Sequence, residues 1–188
     1  MNGPRFVTIS AAASGPIRYT EAMTQPIDTA KVTDRRALKF NSVGDLRADL
    51  ESLDRAQSSR ALRTTGNWTP GQVFGHLASF IEFAYDGYPK ELQNPPWFIR
   101  QILKLMKKRY LYGKLPVGIK IPGIKDGTVG IDALPFAAGL TRLRAALARL
   151  DAAPPDKPNP IFGPLSHPEW IALHCRHAEL HLSFLHPK

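Results

Sequence analysis

Two short signatures constrain this chain most: Thr69-Pro70-Gly71-Gln72 and Ser166-His167-Pro168-Glu169 each place a hydroxyl three residues ahead of a Gln or Glu. In such a capping box the hydroxyl accepts from the third helical amide while the later side chain reaches back to the cap amide, so two donors left open at a helix start are met. Pro70 falls at the first helical position, where a missing N–H costs nothing. Leu165 and Trp170 stand at the two positions of a hydrophobic staple around the second box. Helices therefore begin near residues 70 and 166.

Apolar spacing supplies the rest of the framework. Val43, Leu46, Leu50 and Leu53 recur at helical intervals behind Asn41 or Ser42 as cap, predicting a first helix over 42–58. The second runs from Pro70 to about Asp86-Gly87. Phe136, Leu140, Leu143, Leu147 and Leu150 keep a 4-3-4-3 spacing among helix-favouring alanines, a third helix that Pro154-Pro155 stops. The fourth extends from Ser166 to near His186-Pro187. Between Tyr88 and Ile131 lies a Pro- and Gly-rich insertion with one amphipathic piece at about 97–111, bearing Ile99, Ile102, Leu103, Met106 and Tyr110. Its polar side carries Arg100, Lys104, Lys107, Lys108 and Arg109, and Lys114, Lys120 and Lys125 follow. No repeat occurs, and no alternating run is long enough to suggest a sheet. The expected fold is all-α: a four-helix bundle with a basic helical insertion between its second and third helices.

At 188 residues, 43 % hydrophobic and 22 % charged, the chain has room for one ordinary core. Residues 34–188 are expected to form the folded unit and 1–33 a disordered leader. Within Met1–Ala22 the apolar run from Phe6 to Ser14 is broken by Thr8 and Ser10 and lacks the long apolar centre of a signal peptide. Met23 would serve equally well as a start. No stretch of about 18 apolar residues exists, so no membrane span is expected. Cys175 stands alone and forms no internal disulfide, which fits a reducing compartment and a cytoplasmic location. The net charge of +9 sits mostly in the insertion. A solvated face is its first reading, an anion-facing rim over a pocket its second. Specific nucleic-acid binding comes last, because no recognition motif accompanies the charge.

On the fourth helix His174, His177 and His181 fall in a narrow sector with Trp170 and Phe184, at roughly 100° per residue. His177 and His181, four apart, put two imidazoles one turn apart on one face. His76 shares a stripe with Gln72, Val73, Phe80 and Phe83, so it too points inward. Buried imidazoles on two helices call for a common partner, and a metal ion held by His76, His177 and His181 supplies one. Three histidines leave a position for water, whereas a closed structural zinc site uses four protein ligands. Zn²⁺ is the first choice of ion, with Ni²⁺ and Fe²⁺ as alternatives. His174 is a candidate catalytic base, a fourth ligand, a donor behind the ligands, or a satisfied core histidine. Cys175 and Glu179 fall on the opposite side of the wheel and are excluded as ligands. His167 and His186 read as plain surface residues.

Asn67-Trp68-Thr69-Pro70-Gly71-Gln72 leading to His76-Leu77-Ala78, then Phe162-Gly163-Pro164-Leu165, then Glu169-Trp170 leading to Arg176-His177 and His181-Leu182 resemble the DinB-like superfamily of YfiT-like metal-dependent hydrolases. Within it the likeness is to a branch of unknown function, and it covers about residues 34–187. It implies an up-down-down-up bundle, often a homodimer, whose metal ligands correspond to His76, His177 and His181. It also implies chemistry with a low-molecular-weight thiol, as in the metal-dependent transferases and isomerases of the superfamily. Relatives of this branch often repeat histidine just before the final ligand, where this chain has Leu180. Three functional readings result: a metal-dependent transferase or hydrolase acting on a small-molecule or thiol substrate, a non-catalytic metal- or ligand-binding bundle, and a bundle with purely structural histidines.

Overall fold

The computed structural model describes residues 26–93, 97–121, 124 and 127–188. The residues expected as a leader lie outside these as far as position 25, as does Lys125. The described chain is mostly helical. Its long helices are α1 (Val43–Ser58), α2 (Pro70–Asp86), α6 (Phe136–Ala152) and α7 (His167–Leu182), with the shorter α3 (Lys90–Gln93), α4 (Trp97–Leu105) and α5 (Lys107–Tyr112) between α2 and α6. Among the described residues no helix is long and apolar enough to cross a membrane.

The helix starts follow the local chemistry. The Gln72 amide donates to Thr69 Oγ1 at 3.3 Å and Thr69 N–H to Gln72 Oε1 at 3.0 Å. Ser42 rather than Asn41 caps α1, accepting from Asp45 N–H at 3.1 Å. At α7 the Ser166 amide donates to Glu169 Oε2 at 2.9 Å.

α2 packs against α6 and α7, and α1 against the same two helices, so one core lies among the four. Leu50 and Leu53 of α1, Phe74 of α2, Leu143 and Leu147 of α6, and Leu182 of α7 are wholly buried in it. Each such leucine contributes about 1.5–3 kcal/mol by leaving water. The α2–α6 crossing is close because it is made of glycine. A Cβ on Gly71 would stand 2.0 Å from the Leu134 carbonyl oxygen, and one on Gly139 would stand 2.6 Å from that of Gly71.

Three expectations need correction. The fourth helix stops at Leu182, not near His186-Pro187. No glycine or proline marks that end; instead Arg35 donates to Leu180 O at 3.3 Å and Arg36 to Leu182 O at 3.1 Å, satisfying carbonyls that a longer helix would have used. Residues Leu185–His186 (β2) then pair antiparallel with Arg63–Thr64 (β1), a ladder too short to leave an alternating pattern. The amphipathic piece at 97–111 is two helices, α4 and α5, broken at Met106.

Candidate metal centre

Thr69 starts α2 so that His76 arises two turns in, and Ser166 starts α7 so that His177 and His181 follow in its second half. Because α2 lies against α7, all three imidazoles meet. One nitrogen from each lies within 4.8 Å of the other two, an arrangement that could hold a metal ion. His76 Nε2 and His177 Nε2 stand 3.1 Å apart.

His76 has a defined tautomer. Its Nδ1 lies 3.0 Å from the Val129 carbonyl, which can only accept, so the proton is on Nδ1 and the Nε2 lone pair faces the other histidines. The Val129 carbonyl is itself held by a crowded turn. Gly130 has φ +72°, and a Cβ there would meet Ser79 Cβ at 2.8 Å. Arg142 fastens the turn to the helices, binding Glu82 at 2.6 Å, Ser79 at 3.0 Å and Asp132 at 3.4 Å.

Aromatic rings complete the enclosure. Trp68 stacks on His181 with centroids 5.1 Å apart and planes at 7°, and it meets His76 edge-on at 4.9 Å. Phe80 contacts His76 at 4.7 Å and His177 at 4.8 Å. Such walls disfavour an imidazolium. Burial lowers the His76 pKa to about 4 against a weaker opposing pull from the Val129 hydrogen bond. For His177, burial and then the neighbouring His181, His76 and His174 hold it well below its usual value; for His181, burial and then His76 and Arg35 do the same. The donor set is thus three neutral imidazoles, the form that binds a cation.

The imidazoles border a cavity of about 700 Å³ walled by Val73, Phe80, Leu115, Val117 and Phe184, with Lys120 as a basic side chain on its edge. The insertion therefore roofs the site: Tyr110 and much of 115–121 line the cavity. Arg100, Lys104, Lys108, Arg109 and Lys114 are instead exposed to solvent, and Lys107 pairs with Glu169 at 2.8 Å.

The remaining candidates fall elsewhere. His174 is buried but outside the converging group; it stacks on Trp170 at 5.9 Å, its Nε2 has no hydrogen-bond partner, and burial lowers its pKa to about 4. Cys175 is buried toward α1, its thiol 3.6 Å from the Ser42 carbonyl, and burial raises its pKa to about 12. Glu179 pairs with Arg176 at 2.6 Å, and both also bind the Phe40 backbone. His167 and His186 are not the plain surface residues expected. His167 Nε2 donates to the Leu150 carbonyl at 2.6 Å near the end of α6, and His186 Nε2 lies 3.3 Å from Thr65 Oγ1. Sequence reasoning missed Trp68 and Val129 as site residues. An aromatic just ahead of the α2 capping box was a signal for the first; a carbonyl leaves none for the second.

Fold and site together define a mostly helical protein with a three-histidine cluster, His76 buried and His177 and His181 half-buried, under a roofing insertion. Residues 32–188 match the family described as "Protein of unknown function (DUF1569)", and the chain belongs to that family. No curated protein and no solved structure matches the chain.

Proposed function

We propose that this protein is a divalent-metal-dependent enzyme of the DinB-like superfamily, a four-helix bundle over residues 34–188 with His76, His177 and His181 as ligands. The observation that carries the reading is the 3.1 Å approach of two imidazole nitrogens, one of which is a defined acceptor. Nitrogens bound at about 2.0–2.1 Å to one tetrahedral Zn²⁺ lie about 3.3 Å apart, so the spacing fits Zn²⁺, with Ni²⁺ and Fe²⁺ as alternatives. A divalent ion held by His76, His177 and His181 would supply Lewis acidity to a water or thiol.

The chain's own part is to keep the imidazoles neutral, to orient His76 through Val129, and to wall the rings with Trp68 and Phe80. The largely apolar cavity suits a small molecule with an apolar body, and Lys120 suits an anionic group at its edge. Transfer or hydrolysis with a low-molecular-weight thiol is the reaction class we assign. The test is elemental analysis of untagged protein grown with ample metal, followed by thiol-transfer and hydrolysis assays against His76→Ala. One bound ion per chain and turnover above that control are expected. A metal content near zero overturns the metal reading, and metal without turnover overturns the enzymatic one.

A further inference from the structure

The insertion carries a second feature that the metal site does not use. From Leu92 to Ile124 the sequence holds no Asp or Glu, while Arg100, Lys104, Lys107, Lys108, Arg109, Lys114 and Lys120 all fall within it. Apolar side chains stand in the same stretch and are left in water. Trp97 is 72 % exposed, Phe98 50 %, Ile102 51 % and Leu105 88 %. At roughly 100° per residue Phe98, Ile102 and Leu105 fall within a sector of about 60° on α4, and Arg100 and Lys104 lie together on the other side, next to Trp97. α4 packs chiefly on α5, which packs on α7, so the body of the protein presents this face outward.

We propose that α4 docks this protein on an anionic phospholipid surface, with Phe98, Ile102 and Leu105 entering the headgroup–acyl boundary. Trp97 is suited to the headgroup level, where amphipathic rings concentrate. Arg100, Lys104, Lys108 and Arg109 make no ion pair with another described residue, so their charges are available to lipid phosphate, and their long stems can reach it from the flank. Stable peripheral binding takes two signals, and this face combines a short apolar stripe with a basic cluster. Nucleic acid would use the charges and leave Leu105 and Phe98 wet. A second copy would cover those side chains only by bringing two basic clusters together, which Coulomb repulsion opposes.

The test is flotation of the untagged full chain with vesicles of phosphatidylcholine alone and of phosphatidylcholine mixed with phosphatidylglycerol. Partitioning onto the mixed vesicles at least about tenfold above the neutral ones, falling at high salt, is the expected result. Phe98→Ser with Leu105→Ser, and separately Arg100→Gln with Lys104→Gln, should each lower it about tenfold while leaving the helical circular dichroism and the metal content unchanged. These positions are exposed, so folding is not at stake. Equal partitioning by the variants, or none by the parent chain, overturns the proposal. So does a dimer in equilibrium sedimentation that Leu105→Ser dissolves, or displacement from vesicles by an acidic peptide or by duplex DNA at equal charge. The metal-content readout is independent of all these outcomes.

Discussion

The ring nitrogens of His76 and His177 approach to 3.1 Å although the residues are separated by 101 positions in sequence. Since the His76 atom is an acceptor, His177 must either donate a proton to it or share a cation with it. The first arrangement is an ordinary hydrogen bond; the second draws in His181 as well, whose nitrogen lies within the same 4.8 Å.

This distinction orders the histidine variants. His76→Ala, His177→Ala and His181→Ala should each abolish tight metal binding in equilibrium dialysis, whereas His167→Ala and His186→Ala should retain it. His174→Leu should also retain the ion. Because it removes an unpartnered buried nitrogen, that variant should be as stable as the parent or more so, by up to about 1–3 kcal/mol in urea unfolding. Loss of metal from His174→Leu with retention by His76→Ala would move the site into α7 alone.

Gly130 supports the candidate metal centre without touching it. Gly130→Ala forces a side chain into a left-handed turn and against Ser79, displacing the Val129 carbonyl from His76. Metal affinity should fall about 10- to 100-fold, the usual cost of losing the group that orients a ligand histidine. Unchanged affinity in a chelator competition would show that the Val129 bond is dispensable.

Acid should destabilise the metal-free protein. His76 and His174 have pKa values of about 4 when folded, against 6.5 for the free side chain. Between these values the unfolded chain binds protons that the folded one does not, so stability rises with pH across that window and is lost on acidification. The slope is about 1.4 kcal/mol per pH unit for each such group, and His177 and His181 act in the same direction. Urea midpoints of chelator-treated protein should drop steadily from about pH 6.5 downward; a midpoint that held or rose would contradict the buried, neutral assignment.

Glycine at the α2–α6 crossing should matter more than glycine elsewhere in a helix. Gly71→Ala drives a methyl group into the Leu134 carbonyl and should cost about 1–3 kcal/mol or more. Gly44→Ala, whose nearest neighbour would be Ser42 Oγ at 3.4 Å, should instead be neutral or gain about 0.5–1 kcal/mol. Similar urea midpoints for the two variants would mean that the helices can spread.

Much of this architecture was legible because its causes are local. Thr69 with Gln72 and Ser42 with Asp45 satisfy their own helix starts, the leucines of α1 and α6 repeat at helical spacing, and His177 and His181 share a face by arithmetic. The rest depends on residues distant in the chain. α7 ends at Leu182 because Arg35 and Arg36 reach its carbonyls, and Gly71 counts because residues 134–139 cross it. The wheel set Cys175 and Glu179 opposite the histidine stripe but could not say what covers that side, where Cys175 and Arg176 are buried beneath α1 and the Phe40 backbone. His174 was legible as inward-facing but not as excluded from the cluster, since its neighbour Trp170 takes it to a different part of the core.

The stacking of Trp68 on His181 gives the protein a built-in optical reporter. An indole 5.1 Å from one imidazole and 4.9 Å from another senses any change in charge or electron density on those rings. The other two tryptophans sample different surroundings, Trp170 in the sealed core and Trp97 in open water. Emission from the three should therefore separate by wavelength and by access to quenchers, so that events at the histidines, in the packing and at the surface can be followed in one unlabelled sample.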